Sequence, residues 1–151
     1  PKTPKPQNPL STINLIYIYN SKFSNQYVIS RRVTEAVVGG EEDENQIPID
    51  ESLLKNGLHC IGKTFNNARH AFLSLSIPDS GLNSILGLAK YKYLQNVDVS
   101  GNNLTSLKEL SSIKHLIKLN ASNNKLRFTF DFAPPANLEW VDYSGNQIMS
   151  I

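Results

Sequence analysis

Apolar and polar positions alternate along this chain with two periods, one short and one long. From residue 72 onward, Phe72, Leu94, Leu116 and Leu138 follow one another at 22-residue steps. Three residues after each stand Leu75, Val97, Leu119 and Val141; two further stand Ile77, Val99, Ala121 and Tyr143. Ser80, Asn102, Asn124 and Asn146 come next in the same frame, and Leu82, Leu104, Leu126 and Ile148 close it. A repeat of this length describes a unit that cannot bury its apolar face alone and must stack on neighbours to do so. The short period, apolar residues two apart, predicts a strand of a few residues with these side chains inward. The asparagine after each strand predicts a turn whose buried backbone groups are satisfied by an amide that both donates and accepts. Stacked copies then give a ladder through Asn102, Asn124 and Asn146, with Ser80 a degenerate first rung.

After the strand, Leu104, Leu107, Leu110 and Ile113 recur at a spacing near three, as do Leu82, Ile85 and Leu88, which predicts a 3₁₀ turn or short helix on the outer side of the coil. The third copy departs from this: Phe128, Phe130 and Phe132 alternate and Pro134-Pro135 follows, so that segment is expected to be extended. Upstream, residues 49–58 read as a short helix, with Asp50 capping its start and Gly57 supplying a left-handed stop. Residues 58–61 and 71–75 are expected to pair as strands around the turn at residues 63–67. Four prolines among the first nine residues suggest an extended beginning. Residues 12–19 and 26–29 are β-prone, and Gly39-Gly40 opens an acidic linker.

The frame L-x-x-L-x-L-x-x-N-x-L is the signature of leucine-rich repeats. The expected fold is an α/β solenoid, a right-handed leucine-rich-repeat coil with short parallel strands on its concave face and a helical N-terminal cap. Its expected divisions are an extended arm at 1–46, a cap at 47–71 and about four repeats at 72–151. The last repeat is truncated at Ile151, and with Pro1 in place of an initiator methionine this reads as a fragment. Residues 47–126 resemble the radial-spoke leucine-rich-repeat proteins of motile cilia. The stretches 119–126, 132–138 with its double proline, and 142–148 are similar to the leucine-rich-repeat and guanylate-kinase domain proteins. These resemblances imply a scaffolding role in an axoneme, and so a cytoplasmic, cytoskeletal location in a cilium or flagellum. A guanylate kinase needs a G-x-x-x-x-G-K-[ST]-like phosphate loop, which does not occur between Pro1 and Ile151, so nucleotide binding is not carried over.

Strand alternation assigns the outward columns of the concave sheet. Ser74, Asn96, Lys118 and Trp140 form one; Ser76, Asp98, Asn120 and Asp142 a second; Pro78, Ser100, Ser122 and Ser144 a third. Asn96, Asp98, Lys118, Asn120, Trp140 and Asp142 are the candidate protein-binding residues. Trp140 either anchors a helix or peptide in the groove or simply shields the sheet and packs on a following repeat. In the arm, Ile13, Leu15, Tyr17, Tyr19 and Tyr27 are candidates for strand addition to a partner's sheet edge, and the arm is expected to order on that partner.

Charge and reactive residues narrow the function. A net charge of +2 is too small to advertise nucleic acid or an anionic membrane. The run at residues 13–19 is far shorter than the ~20 residues of a spanning helix. The lone Cys60 has no partner for a disulfide, which favours the cytosolic side. Asp98 and Asp142 fall two strands apart, roughly 10 Å, too far to share a proton. His59, His70 and His115 lack ligand spacing. No catalytic, cofactor-binding or metal site is expected, and no small-molecule substrate. The reading is a non-catalytic scaffold that binds other proteins of a large axonemal assembly, a radial-spoke component. The alternative is a regulatory or targeting module for an enzyme, a phosphatase or a guanylate kinase domain beyond this segment.

Overall fold

A computed structural model describes residues 16–19 and 27–29 as backbone, and residues 47–64 and 67–149 in full. Its strands are β1 (Ile16–Tyr19), β2 (Tyr27–Ile29), β3 (Leu58–Lys63), β4 (His70–Ser76), β5 (Asn96–Asp98), β6 (Lys118–Asn120) and β7 (Trp140–Asp142), with one α-helix, α1 (Glu51–Gly57). They form one sheet in the order β2-β1-β7-β6-β5-β4-β3. From β4 to β7 the strands are parallel, and each pairs with the residue 22 positions on: Leu75 with Val97, Val97 with Leu119, Leu119 with Val141. This is a leucine-rich-repeat solenoid, and the sequence period is its strand register.

Leu94, Leu116 and Leu138, with Leu119, Val99, Ala121 and Tyr143, are fully buried in a single core that runs the length of the stack. Phe72, first of the same sequence column, is instead 37 % exposed. The reason is strand length. β4 already includes position 72, where alternation turns it away from Leu75, whereas Leu94, Leu116 and Leu138 precede their short strands and are free to turn inward. Phe72 is in register with exposed Ile61 of β3.

At the turns, Asn102 Nδ2 donates to the carbonyls of Ile77 and Val99 at 2.9 and 2.8 Å, and its Oδ1 accepts from Ser80 N and Leu82 N at 3.0 Å each. Asn124 donates to Val99 O and Ala121 O and accepts from Leu104 N; Asn146 donates to Ala121 O and Tyr143 O and accepts from Leu126 N. Each amide therefore ties its own turn to the turn before it. The preceding residue is left-handed in every copy: Asp79 (φ 50°), Gly101 (67°), Asn123 (53°) and Gly145 (68°). Glycine, asparagine and aspartate are the residues that tolerate this region.

Two 3₁₀ turns, Leu88–Lys90 and Lys108–Ser112, lie on the convex side. No helix forms between residues 127 and 139, the segment of the double proline. There Asp131 reaches back one repeat: its carboxylate accepts from Leu107 N at 2.9 Å and from the Ser106 hydroxyl, tying down the residues that lead into the second 3₁₀ turn.

At the other end, Asp50 accepts from Ser52 N at 3.4 Å at the start of α1 and also from the Ser52 hydroxyl. Gly57 does not supply the left-handed stop expected of it. It is the last helical residue, its φ is not positive, and Leu58 continues directly as strand. A Cβ there would come within 2.7 Å of Ser76 O, so glycine is required by the close approach of α1 to β4. β3 then pairs antiparallel with β4, with β4 shared between β3 and the repeat strands.

The apolar side of the last coil is covered. Leu138, Val141, Tyr143 and Ile148 are all buried. β1 occupies the outer edge of β7, parallel and in the repeat register, with Tyr17 opposite Trp140, Ile18 opposite Val141 and Tyr19 opposite Asp142. Phe130 packs edge-on against Tyr143 at 6.0 Å.

Candidate functional site

Register brings the first outward column together: Ser74, Asn96, Lys118 and Trp140 lie opposite one another on four adjacent strands. Ser74 is buried and receives a bond from Asn96 Nδ2 at 3.3 Å; Asn96 and Lys118 are exposed, and Trp140 is 37 % exposed. Asn96, Lys118 and Trp140 of this column face solvent.

The second column is equally well aligned but serves the fold first. Asp98 Oδ1 accepts from Ser100 N and Oγ at 3.0 and 2.7 Å. Asn120 Oδ1 accepts from Ser122 N and Oγ at 3.2 and 2.8 Å, and Asp142 Oδ1 from Ser144 N at 2.8 Å. Each strand thus ends in an Asx turn, which ties down the third column as well and leaves Ser122 buried. Asp98, Asn120 and Asp142 are half-buried, so the second carboxylate oxygens of the two aspartates and the Asn120 amide NH2 remain a polar floor for the groove. Asp98 and Asp142 sit on β5 and β7 with β6 between them and do not form a carboxylate pair.

Of the arm residues, Ile13 and Leu15 lie outside the described residues. Tyr17 and Tyr19 belong to β1 and Tyr27 to β2, which pairs antiparallel with β1. In this structure β1 pairs with β7 of its own chain. Two exposed apolar residues, Ile61 and Phe72, extend the outward face at the β3–β4 hairpin, although the repeat frame sets Phe72 in the same column as the inward Leu94, Leu116 and Leu138. The strand length that would have flagged them is not visible in the repeat frame.

Reactive groups are dispersed. Among the described residues no group of three or more His, Cys, Asp or Glu is placed to hold a metal ion, and no helix is long and apolar enough to cross a membrane. Cys60 is exposed and unpaired, and His59 Nδ1 bonds Gly57 O at 2.8 Å. The Ser52 hydroxyl, then its amide, hold the Asp50 carboxyl below the usual carboxylate range. Tyr143 is the unusual group: its hydroxyl is the one buried side-chain polar atom among the described residues without a hydrogen-bond partner. Burial, reinforced by the Asp131 carboxylate, raises its pKa well above 10.0.

The chain is similar to several leucine-rich-repeat proteins. It is 39 % identical over 80 residues to human leucine-rich repeat-containing protein 23, covering 53 % of this chain and 23 % of that protein; the bovine counterpart is 42 % identical over the same length. It is 32 % identical over 110 residues to the human leucine-rich repeat and guanylate kinase domain-containing protein, covering 73 % of this chain and 13 % of that protein. The chain thus spans about a quarter or less of the length of these relatives. No family model matches it. Among solved structures, an internalin from Listeria monocytogenes overlays 52 % of the chain and 23 % of its own, with a TM-score of 0.49 and 23 % identity.

Proposed function

We propose that this chain is a non-catalytic protein-binding scaffold whose concave sheet face is the binding surface. The observation that carries this is the first outward column. Asn96, Lys118 and Trp140 project from strands locked to one another by the asparagine ladder, so a partner meets a face ordered before binding. A rigid face loses little entropy on association, and a partly exposed tryptophan is a favourable anchor. The finer reading is that the partners belong to a ciliary or flagellar axoneme and that the protein is a component of its radial spokes. Its support is the sequence resemblance of residues 47–126 to radial-spoke leucine-rich-repeat proteins.

The test uses the full-length protein. Wild type and a Lys118→Glu, Trp140→Ala variant are expressed in flagellated cells, and salt-washed axonemes are probed for retention and for crosslinks to the concave face. Stoichiometric retention of the wild type and loss of the variant support the scaffold. Recovery only in a soluble complex with a phosphatase or kinase would favour a regulatory or targeting module, the reading that the named guanylate kinase relative supports. Equal retention of the variant would remove the concave face from the account.

A further inference from the structure

The side chains that lead into the strands build a second surface, distinct from the concave face. Tyr93 and His115 stand one repeat apart, and their rings stack with centroids 5.5 Å apart and planes 17° from parallel. With Lys63, Leu73, Gln95 and Asn137 they line an open cleft of about 260 Å³. The backbone around the cleft is fixed by the same interstrand ladder, since Gln95 N donates to Leu73 O at 2.8 Å and Ile117 N to Gln95 O at 2.7 Å.

Charge is segregated about this cleft. Exposed Lys63, Arg69, Lys92 and Lys114 lie along the lead-in rim, together with exposed His70, and Glu139 is the acid beside them. The opposite rim, where the strands end, carries Asp79, Asp98 and Asp142 with Lys125. The 22-residue repeat converts Lys92 and Lys114, separated in sequence, into neighbours flanking the stacked rings. Among the described residues no carboxylate lines the cleft itself.

We infer that this rim is a docking site for an acidic polypeptide segment, with one aspartate or glutamate side chain entering the Lys63–Tyr93–His115 cleft. Rim lysines draw such a segment in and fix its register, as complementary charge does at protein interfaces. Gln95 and Asn137 offer amide N–H donors to a carboxylate, and the tyrosine ring covers the peptide's aliphatic carbons. Nucleic acid fits less well. A cleft this small admits a side chain and not a stacked base with its backbone, and the chain's net charge is only +2.

The experiment titrates a fluorescent glutamate-rich peptide and, separately, a single-stranded oligouridylate RNA against the chain. Three variants are compared with wild type: Lys63→Glu with Lys114→Glu on the rim, Lys55→Glu with Lys108→Glu as a control of equal charge change elsewhere, and Trp140→Ala on the concave face. Saturable peptide binding is expected, weakened about tenfold or more by the rim pair and less than about threefold by the other two. Circular dichroism verifies folding, and the milder pair Lys63→Gln with Lys114→Gln gives the same ordering of affinities if the reversed charges perturb the fold. Absence of peptide binding, equal loss in the control pair, loss with Trp140→Ala, or tighter binding of the RNA each overturns the assignment. Because Trp140→Ala reports on the concave face and the lysine pair on the rim, failure of one reading is separable from failure of the other.

Discussion

The turn after β6 and the outer side of β7 are both closed by backbone-directed hydrogen bonds, but they are closed by different means. At the turn, one asparagine side chain satisfies several buried groups at once: Asn124 serves Val99 O, Ala121 O, Ser122 O and Leu104 N. Little entropy is lost, because the amide belongs to the turn it fills. At the edge, β1 pairs with β7 over three residues and comes from roughly 120 residues away in sequence. Closing a loop of that length costs about 4 kcal/mol of chain entropy, most of what so short a pairing returns. Local closure stabilises the fold, and distant closure covers it.

The largest expected effect follows at the turn. Asn124→Leu leaves the buried Leu104 N–H without its acceptor and takes one of two donors from each of Val99 O, Ala121 O and Ser122 O, and should destabilise the chain by about 2 kcal/mol or more, read as a lower urea midpoint. A loss under about 1 kcal/mol would mean that the ladder is not what holds the turns. Asp131→Ala removes the acceptor of Leu107 N and of the Ser106 hydroxyl and should cost about 1 kcal/mol, measured in the same way. Deleting residues 1–40 tests the edge. It should lower stability by about 1 kcal/mol or less, and an unfolded repeat region would show that distant closure carries as much as the ladder.

The smallest effect has the opposite sign. Tyr143→Phe removes a buried hydroxyl that has no partner and should leave stability at neutral pH unchanged or raised by up to about 1 kcal/mol. Its alkaline behaviour is more telling. The folded pKa lies above the unfolded one, so the contribution of the neutral phenol is complete below about pH 10 and is lost as pH rises through the folded value. Wild type should therefore lose stability more steeply than Tyr143→Phe in alkaline melts; parallel curves would contradict the burial of this hydroxyl.

Much of this was legible in the chain. The 22-residue frame fixes which residues are opposite one another, so the strand register and the ladder asparagines could be read directly. The Asx turns were also present as Asp98-Val-Ser100, Asn120-Ala-Ser122 and Asp142-Tyr-Ser144, an acceptor side chain two residues before each serine. Three features were not legible, for physical reasons. Asp131 acts across repeats from a position where the previous copy has Glu109, so periodicity does not mark it. Gly57 is needed by a neighbour's carbonyl and not by its own dihedral angles, which no local signal reveals. β1 shares the strand register with β7 without sharing the repeat sequence, and pairing through backbone alone leaves no side-chain pattern to detect.

Native-state hydrogen exchange compares the two closures most directly. The amides of Leu104 and Leu126, which donate to Asn124 and Asn146, should exchange only through global unfolding, while those of β1 exchange through local opening at much lower free energy. In Asn124→Leu, protection of Leu104 should collapse by more than the global loss of stability. Equal protection of Leu104 and β1 in the wild type, or a Leu104 amide that stays protected in the variant, would contradict the claim that the asparagine ladder holds this solenoid together.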